Sequence, residues 1–128
     1  MKRTVFSGVA GYRVALMATV VFFASTAPSL AVAPLATPSG EAVVAGSAAF
    51  DRPAVGQLNI TQNTHRAVIN WNSFNIGRDA TTTFIQPNVN SLAVNRVRGV
   101  QTAPTQILGH LNANGKVMVL DRNGVLFG

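Results

Sequence analysis

Two Asn-Gly dipeptides near the end of the chain, Asn114-Gly115 and Asn123-Gly124, constrain its fold most strongly. Both residues of such a pair tolerate positive φ, so Asn-Gly is the strongest short signal for a tight turn. The apolar run Val117–Leu120 between them is too short for a stable helix and rich enough in valine for a strand. Because it is apolar at every position, it predicts a strand covered on both faces. The segment therefore predicts a turn, a strand, a turn and a strand, and a hairpin is the simplest local arrangement.

Short runs rich in Val, Ile, Phe and Thr alternate with clusters of Asn from Val55 onward. No helical periodicity interrupts them. The predicted strands are Gln57–Thr61, Ala67–Trp71, Ser73–Ile76, Thr81–Gln86, Ser91–Val97, Lys116–Leu120 and Val125–Phe127, and Gln106–Leu111 is ambiguous. Many short strands separated by polar turns predict an all-β fold.

One irregularity indicates strands that turn corners while keeping one face inward. Ile69 and Trp71 share a face by the period of two, and so do Phe74 and Ile76. The step from Trp71 to Phe74 is three, so one extra residue at Asn72-Ser73, as in a bulge or corner, restores the inward face. The same spacing recurs in Leu92, Val94 and Val97. This pattern fits a wound sheet and a sandwich with bulges equally well.

The many Asn residues have two possible roles. At a turn, Asn adopts left-handed conformations and bonds its own backbone. In a solenoid, Asn side chains of successive coils can also stack and bond to one another. No clean internal repeat is visible, so periodicity does not decide between the two. Trp71, the only tryptophan, is predicted to lie in the core rather than to stack on carbohydrate.

The first 31 residues read as a secretory signal peptide. A basic start that includes Lys2 and Arg3 precedes the apolar run Val14–Ala24 and then a series of small residues. We predict a signal peptide over residues 1–31, a flexible mature N-terminus over 32–54 with one strand near Glu41–Val44, and a folded part over 55–128. The apolar run is shorter than the roughly 20 residues of a spanning helix, so no stable membrane span is expected after cleavage. A signal anchor and a buried helix are the alternatives.

Composition excludes several classes of function. Once Lys2, Arg3 and Arg13 leave with the signal peptide, seven of the ten Lys and Arg residues remain against four acidic residues, a net charge of +3. The basic residues are scattered, so no nucleic-acid partner is predicted. With four carboxylates, no cysteine, and His65 and His110 far apart, neither a metal site nor a catalytic constellation is predicted. We expect no enzyme activity and no cofactor.

Several motifs in one order resemble a known family. Arg66–Gly77, RAVINWNSFNIG, resembles the opening signature of the two-partner secretion domain of filamentous-haemagglutinin-type exoproteins. The later matching motifs are Thr83–Asn88, Ser91–Val97, Gln106–Gly109, Leu111–Gly115 and Asp121–Gly128. The resemblance covers Gln57–Gly128, and several motifs in one order are more specific than any single motif.

The resemblance implies a fold and a partner. Such domains are right-handed parallel β-helices with an N-terminal cap, at the front of exported adhesins, haemolysins or contact-dependent toxins. The POTRA repeats of a dedicated outer-membrane β-barrel transporter recognise them in the periplasm, and the domain helps to start folding of the passenger. The chain is therefore expected to reach the periplasm and then to be secreted or displayed at the cell surface.

The resemblance also names candidate site residues. The family's Asn-Pro-Asn-Gly turn, tied to secretion, is matched by Asp121, Arg122, Asn123 and Gly124. Asp at the first position keeps the side-chain cap of the turn, and Arg in place of Pro frees φ. The opening signature and the later strand contribute residues with a recognition or structural role, namely Asn70, Trp71, Phe74, Asn95 and Arg96. Domains of this family usually continue well beyond this turn, so we expect a truncated domain and an incomplete β-helix.

Two classes of function remain open beside the secretion-targeting module. A truncated remnant without export function would present an unpaired apolar strand, which invites pairing or aggregation. A secreted surface-binding protein is supported only by the expected compartment. A β-helical polysaccharide enzyme is disfavoured by the scarcity of carboxylates.

Overall fold

The computed structural model describes residues 31–128, which form ten strands and no helix. The predicted signal peptide lies outside these residues except for Ala31. No segment of the described part is a helix that could span a membrane. The strands are β1 Ala42–Ala45, β2 Ala48–Asp51, β3 Gln57–Gln62, β4 Arg66–Trp71, β5 Thr81–Ile85, β6 Leu92–Val97, β7 Thr105–Ile107, β8 His110–Ala113, β9 Lys116–Leu120 and β10 Val125–Phe127.

The strands form three sheets that the chain visits in rotation. Sheet A has the order β2-β3-β5-β8, sheet B has the order β1-β4-β6-β9, and sheet C pairs β7 with β10. A parallel bridge between Ile76 and Ile107 extends sheet C by one position. The chain thus makes three coils, which we call coil 1 (β3, β4 and Ile76), coil 2 (β5, β6 and β7) and coil 3 (β8, β9 and β10). Every pairing between successive coils is parallel.

The coils differ in length, which hides the repeat in the sequence. Gln57 pairs with Thr81 and Thr81 with His110, offsets of 24 and 29 residues. In sheet C, Thr105 pairs with Val125, an offset of 20 residues. Because the offsets vary, self-comparison of the sequence finds no fixed period.

Coil 1 is covered on its other edge by antiparallel strands. β2 pairs with β3, and β1 pairs with β4 with a register shift between Val43 and Ala45. The segment 32–54, predicted to be flexible with one strand, therefore contains two strands. Val43, Ala48 and Phe50 pack against the core, so this Ala-rich segment has an apolar face despite its low complexity. Gly46, at φ 78°, makes the turn between β1 and β2.

The core lies between the three sheets and is organised around Trp71. Edge-to-face contacts place the Trp71 ring 5.6 Å from Phe50 and 5.4 Å from Phe74. Trp71, Phe74 and Ile76 are fully buried, so the corner predicted at Asn72-Ser73 is confirmed. Ser73–Ile76 was predicted as a strand, but it forms only single bridges at Ser73 and Ile76.

The prediction that Leu92 and Val94 face inward is wrong. The buried side chains of β6 are Ala93 and Asn95, whereas Leu92 and Val94 are partly exposed. The apolar pattern misled the prediction because a small residue and a polar residue occupy the inward positions. The buried Asn95 is tolerated because both ends of its amide are hydrogen-bonded.

The two Asn-Gly turns connect different sheets and do not form hairpins. Asn114-Gly115 links β8 of sheet A to β9 of sheet B, and Asn123-Gly124 links β9 to β10 of sheet C. β9 is buried on one face only. Val117 and Val119 pack against the core, whereas Met118 and Leu120 are 45% and 46% exposed, so the predicted cover on both faces is not found within residues 31–128.

Candidate functional site

Asp121–Gly124 forms the predicted capped turn between β9 and β10. The Gly124 N–H donates to the Asp121 carbonyl at 2.9 Å, which closes the four-residue turn. The Asn123 N–H donates to Oδ1 of Asp121 at 2.8 Å, so Asp121 supplies the side-chain cap. Gly124 has φ 96°, a conformation that only glycine adopts without strain. The turn therefore persists with Asp and Arg in its first two positions.

The turn is also tied to coil 2. Oδ2 of Asp121 accepts hydrogen bonds from the backbone N–H and the hydroxyl of Thr105, at 3.1 and 2.7 Å. The Asn123 amide donates to the Gln101 carbonyl at 2.8 Å, and the Gln101 amide in turn donates to the Asn72 carbonyl. The side chains at this corner thus bond from coil to coil, and the turn completes a polar ladder.

A second ladder, which the sequence did not assign to particular residues, lies at the corner between sheets A and B. The Gln86 amide donates to Oε1 of Gln62 at 3.2 Å and to the Lys116 carbonyl at 3.0 Å. Oδ1 of Asn114 accepts from the backbone N–H of Gln86 at 2.7 Å, and the Asn114 amide donates to the backbone carbonyl of Gln86 at 2.8 Å. An amide ladder between coils, one of the two roles left open for the Asn residues, is therefore present, but two of its three members are glutamines.

Trp71, Phe74 and Asn95 are buried and hold the coils together. The indole N–H of Trp71 donates to Oδ1 of Asn95 at 2.8 Å. The Asn95 amide donates to the Met118 carbonyl at 3.2 Å, which links coil 2 to coil 3. Phe74 has no exposed surface. These three side chains cannot contact a partner while the domain is folded.

Asn70 and Arg96 lie on the outer face of sheet B. They are register partners on β4 and β6, and Nε of Arg96 donates to Oδ1 of Asn70 at 3.0 Å. Both side chains are partly exposed. Of the signature residues, this pair is therefore available for contact with another molecule.

An open groove of about 670 Å³ adjoins the turn. Its sides are the end of β6 with the residues just after it and the segment from the end of β9 to the start of β10. Three arginines, Arg96, Arg98 and Arg122, line it together with the apolar side chains of Val97, Val119, Leu120 and Val125. Asp121 is the one acidic residue in the lining, and both of its carboxylate oxygens accept hydrogen bonds. The groove is thus positively charged with an apolar lining.

The chemistry available in the described residues favours binding. His65 and His110 are exposed, and no three His, Asp or Glu side chains within residues 31–128 lie together as a metal site. The amide side chains at the corners bond backbone and each other, and the arginines of the groove are suited to acidic groups.

Comparisons with known proteins agree with the resemblance seen in the sequence. A family model described as the TPS secretion domain matches residues 36–128. Two curated relatives from Haemophilus influenzae, each named heme/hemopexin-binding protein, are 42% identical over 90 residues and 37% identical over 89 residues. The crystal structure of the HMW1 secretion domain from Haemophilus influenzae matches with a TM-score of 0.64 and 33% identity.

The matches cover most of this chain and a small part of the relatives. Each curated relative aligns with 70% of this chain, and the chain spans 10% and 9% of their lengths. The HMW1 secretion domain aligns with 71% of this chain and 23% of its own. The family match begins at residue 36, so it includes the two N-terminal strands. Because it covers well over half of the sequence, the chain belongs to the family of TPS secretion domains, as the resemblance to two-partner secretion domains indicated.

Proposed function

We propose that this chain is the secretion-targeting part of an exported protein and acts without catalysis. An outer-membrane β-barrel transporter recognises it in the periplasm through its POTRA repeats. The chain then reaches the cell surface or the medium, where its coils start the folding of the passenger. A signal peptide over residues 1–31 brings it to the periplasm.

The match of the TPS secretion domain to residues 36–128 carries this proposal. The matched residues include all ten described strands, so the match extends over the strands of all three sheets. The absence of cysteine from the sequence suits a chain that must be threaded unfolded through a membrane, because no disulfide can close a loop.

The winding of the chain supports a right-handed parallel β-helix. Strands of successive coils pair in parallel in all three sheets. A connection between parallel strands of one sheet is right-handed in about 98% of cases, because of the twist of the strands. The antiparallel strands β1 and β2 are then the N-terminal cap of this helix.

We assign different roles to the candidate residues. Asp121–Gly124, Asn70 and Arg96 are exposed or partly exposed, which supports contact with the transporter. Trp71, Phe74 and Asn95 are buried, which supports a structural role in the signature.

Two classes of exported protein have specific support for the protein as a whole. The sequence motifs resemble adhesins of the filamentous-haemagglutinin type, whereas both curated relatives are named for binding heme or hemopexin. The relatives' names favour the second class, and a heme- or hemopexin-binding assay on the secreted protein distinguishes the two.

Export of a reporter tests the proposal. The reporter is fused after Gly128 and expressed in matched cells that carry or lack the candidate transporter. We expect the reporter in the medium or at the surface only where the transporter is present, and in the periplasm otherwise. A control fusion without residues 36–128 should stay in the periplasm of both strains.

The same distribution of the reporter in both strains, whether periplasmic or outside the cell, would refute the proposal. It would leave a remnant without export function or a surface-binding protein as the better account. Sedimentation at a series of concentrations separates these two. A remnant with an unpaired strand should self-associate as its concentration rises, whereas a functional binding protein should remain monomeric.

A further inference from the structure

The outer face of sheet B carries apolar side chains at positions that face away from the core. The strand register places Val68, Val94 and Met118 side by side on β4, β6 and β9. They alternate with buried residues of the same strands, so they point outward. Val44, at the bulge of β1 beside Val68, is 50% exposed and continues the row. We call these four side chains the outer strip.

The winding of the chain does not require this apolar row, as sheet A shows. At the corresponding outward positions, sheet A aligns Asn59, Thr83 and Asn112 on β3, β5 and β8. Two sheets of the same fold, with the same inward packing, thus differ in their outer faces. In this row sheet A has the polar surface expected of a solvated sheet face, whereas a contiguous apolar row such as that on sheet B is typical of an interaction site.

Positive charges border the outer strip at both ends of the strands. Arg66 and Lys116 lie in the row at the start of β4 and β9, and Arg96 lies in the row at the end of β6. Four residues separate the two rows along a strand, roughly 13 Å. The ion pairs found within residues 31–128 are Arg52 with Glu41 and Arg78 with Asp79, so the border charges have no acidic partner in the described chain.

The outer face of sheet B continues from the outer strip into the groove beside the turn Asp121–Gly124. Arg96 and Leu120 are register partners on the outer face of sheet B, and both line the groove with Arg122 of the turn. The apolar row, its positive border and the turn are therefore parts of one continuous surface.

We propose that this surface docks the periplasmic part of the transporter, through an apolar patch of that partner bordered by carboxylates. This inference rests on the proposed secretion function and assigns it to one face of the domain. A membrane is the poorer partner, because the outer strip consists of three valines and one methionine and holds no aromatic ring. A second copy of the chain is also poorer, because it would bring a border of the same charge.

Site-specific cross-linking in cells tests the face directly. A photoreactive amino acid replaces Val94 on sheet B or, as the matched control, Thr83 at the central outward position of sheet A. In cells that carry the transporter, we expect a cross-link to the transporter from position 94 and none from position 83. The cross-link should be absent when the transporter is absent.

Binding measurements provide the second test. The purified mature chain is titrated with the purified periplasmic part of the transporter that supports export. The variant Val68→Thr/Val94→Thr/Met118→Thr keeps residues that favour strands, and we expect its Kd to rise about tenfold or more. The control Ile85→Thr/Leu126→Thr removes exposed apolar side chains from sheets A and C and should bind as the wild type does. Thermal unfolding of each variant verifies that it is folded.

The possible results separate this inference from the proposed function. If export requires the transporter but the cross-link comes from position 83, or the triple variant keeps the wild-type Kd, the docking face is wrong and the secretion role stands. If export is independent of the transporter, both fail. If the triple variant loses binding to vesicles of anionic phospholipid and keeps its affinity for the transporter, the face is a membrane surface and the inference is overturned.

Discussion

The indole N–H of Trp71 in coil 1 donates a 2.8 Å hydrogen bond to Oδ1 of Asn95 in coil 2, inside the core. The side-chain amide of Asn95 donates a second hydrogen bond to the Met118 carbonyl of coil 3, at 3.2 Å. One buried amide therefore links the three coils, in addition to the strand pairing and the corner ladders. Because both residues are fully buried, water cannot replace a lost partner without entering the core.

Replacing Asn95 by leucine should leave the Trp71 indole N–H without a partner and remove the side-chain bond to the Met118 carbonyl, which keeps its place in the strand pairing. Leucine has a similar volume, so the unsatisfied indole N–H dominates the effect, and we expect the free energy of unfolding to fall by about 1–3 kcal/mol. Denaturant unfolding of the Asn95→Leu variant measures it.

A double-mutant cycle with Trp71→Phe identifies the cause. Phenylalanine has no N–H to leave unpaired, so Asn95→Leu should cost at least about 1 kcal/mol less in that background. Equal costs in both backgrounds would show that the hydrogen bond contributes nothing measurable.

Thr82 offers a stabilising substitution. Its side chain is fully buried between its register partners Leu58 and Leu111, and its hydroxyl has no hydrogen-bond partner among residues 31–128. Valine has nearly the same shape, so Thr82→Val should raise the free energy of unfolding by about 1–2 kcal/mol. The outward neighbour Thr83 is the control, because Thr83→Val should change it by less than about 0.5 kcal/mol. A loss of stability in Thr82→Val would contradict the assignment of an unpaired hydroxyl.

Proline at position 122 should stabilise the turn Asp121–Gly124. Arg122 occupies the second position of the turn, which favours proline, and its N–H donates no hydrogen bond within the described residues. We expect Arg122→Pro to add about 0.4–1 kcal/mol to the free energy of unfolding, by restricting the unfolded chain. Asn123→Pro is the matched control and should destabilise, because the Asn123 N–H donates to Asp121. The same sign for both variants would mean that the turn differs from the one described.

The N-terminal segment that contains β1 and β2 carries an ion pair with a testable pH dependence. Two nitrogens of Arg52 donate to the two carboxylate oxygens of Glu41, each at 2.9 Å. The hydrogen bonds from Arg52 lower the pKa of Glu41 below its ordinary value of 4.5, although partial burial opposes them. The contribution is therefore present above that value and is lost as the pH falls through the lowered pKa.

Glu41→Gln should reveal this contribution. Because both side chains are partly exposed, we expect the variant to lose about 0.2–1 kcal/mol at neutral pH. The difference from the wild type should shrink as the pH falls below 4.5 and disappear once Glu41 is protonated. Denaturant unfolding at neutral pH and at a series of acidic pH values measures both, and a loss that stays the same at every pH would assign the effect to something other than charge.

Local turn and burial signals predicted much of the fold. Both Asn-Gly pairs mark places where the chain passes from one sheet to the next, and Gly124 adopts the positive φ that such a pair favours. The three-residue step from Trp71 to Phe74 predicted a corner because both side chains must reach the same core. The cap on the turn was predictable as well, since Asp121 bonds its own backbone two residues on.

The remaining features depend on contacts between distant parts of the chain. A polar residue such as Asn95 is expected at the surface, and only its bond to Trp71, 24 residues earlier, explains its burial. Because Asn95 faces inward, Leu92 and Val94 face outward, opposite to the prediction. β2 was missed because its apolar face is made of Ala48 and Phe50, two residues in an Ala-rich segment. The groove was also missed, because it joins residues from two coils of unequal length.

The distribution of the full chain between the periplasm and the medium tests the central claim most directly. The untagged chain is followed by pulse labelling and immunoprecipitation in matched cells that carry or lack the transporter. We predict that labelled chain passes from the periplasm to the surface or the medium only in cells that carry the transporter. Equal passage in both strains would contradict the assignment of this domain to transporter-dependent secretion.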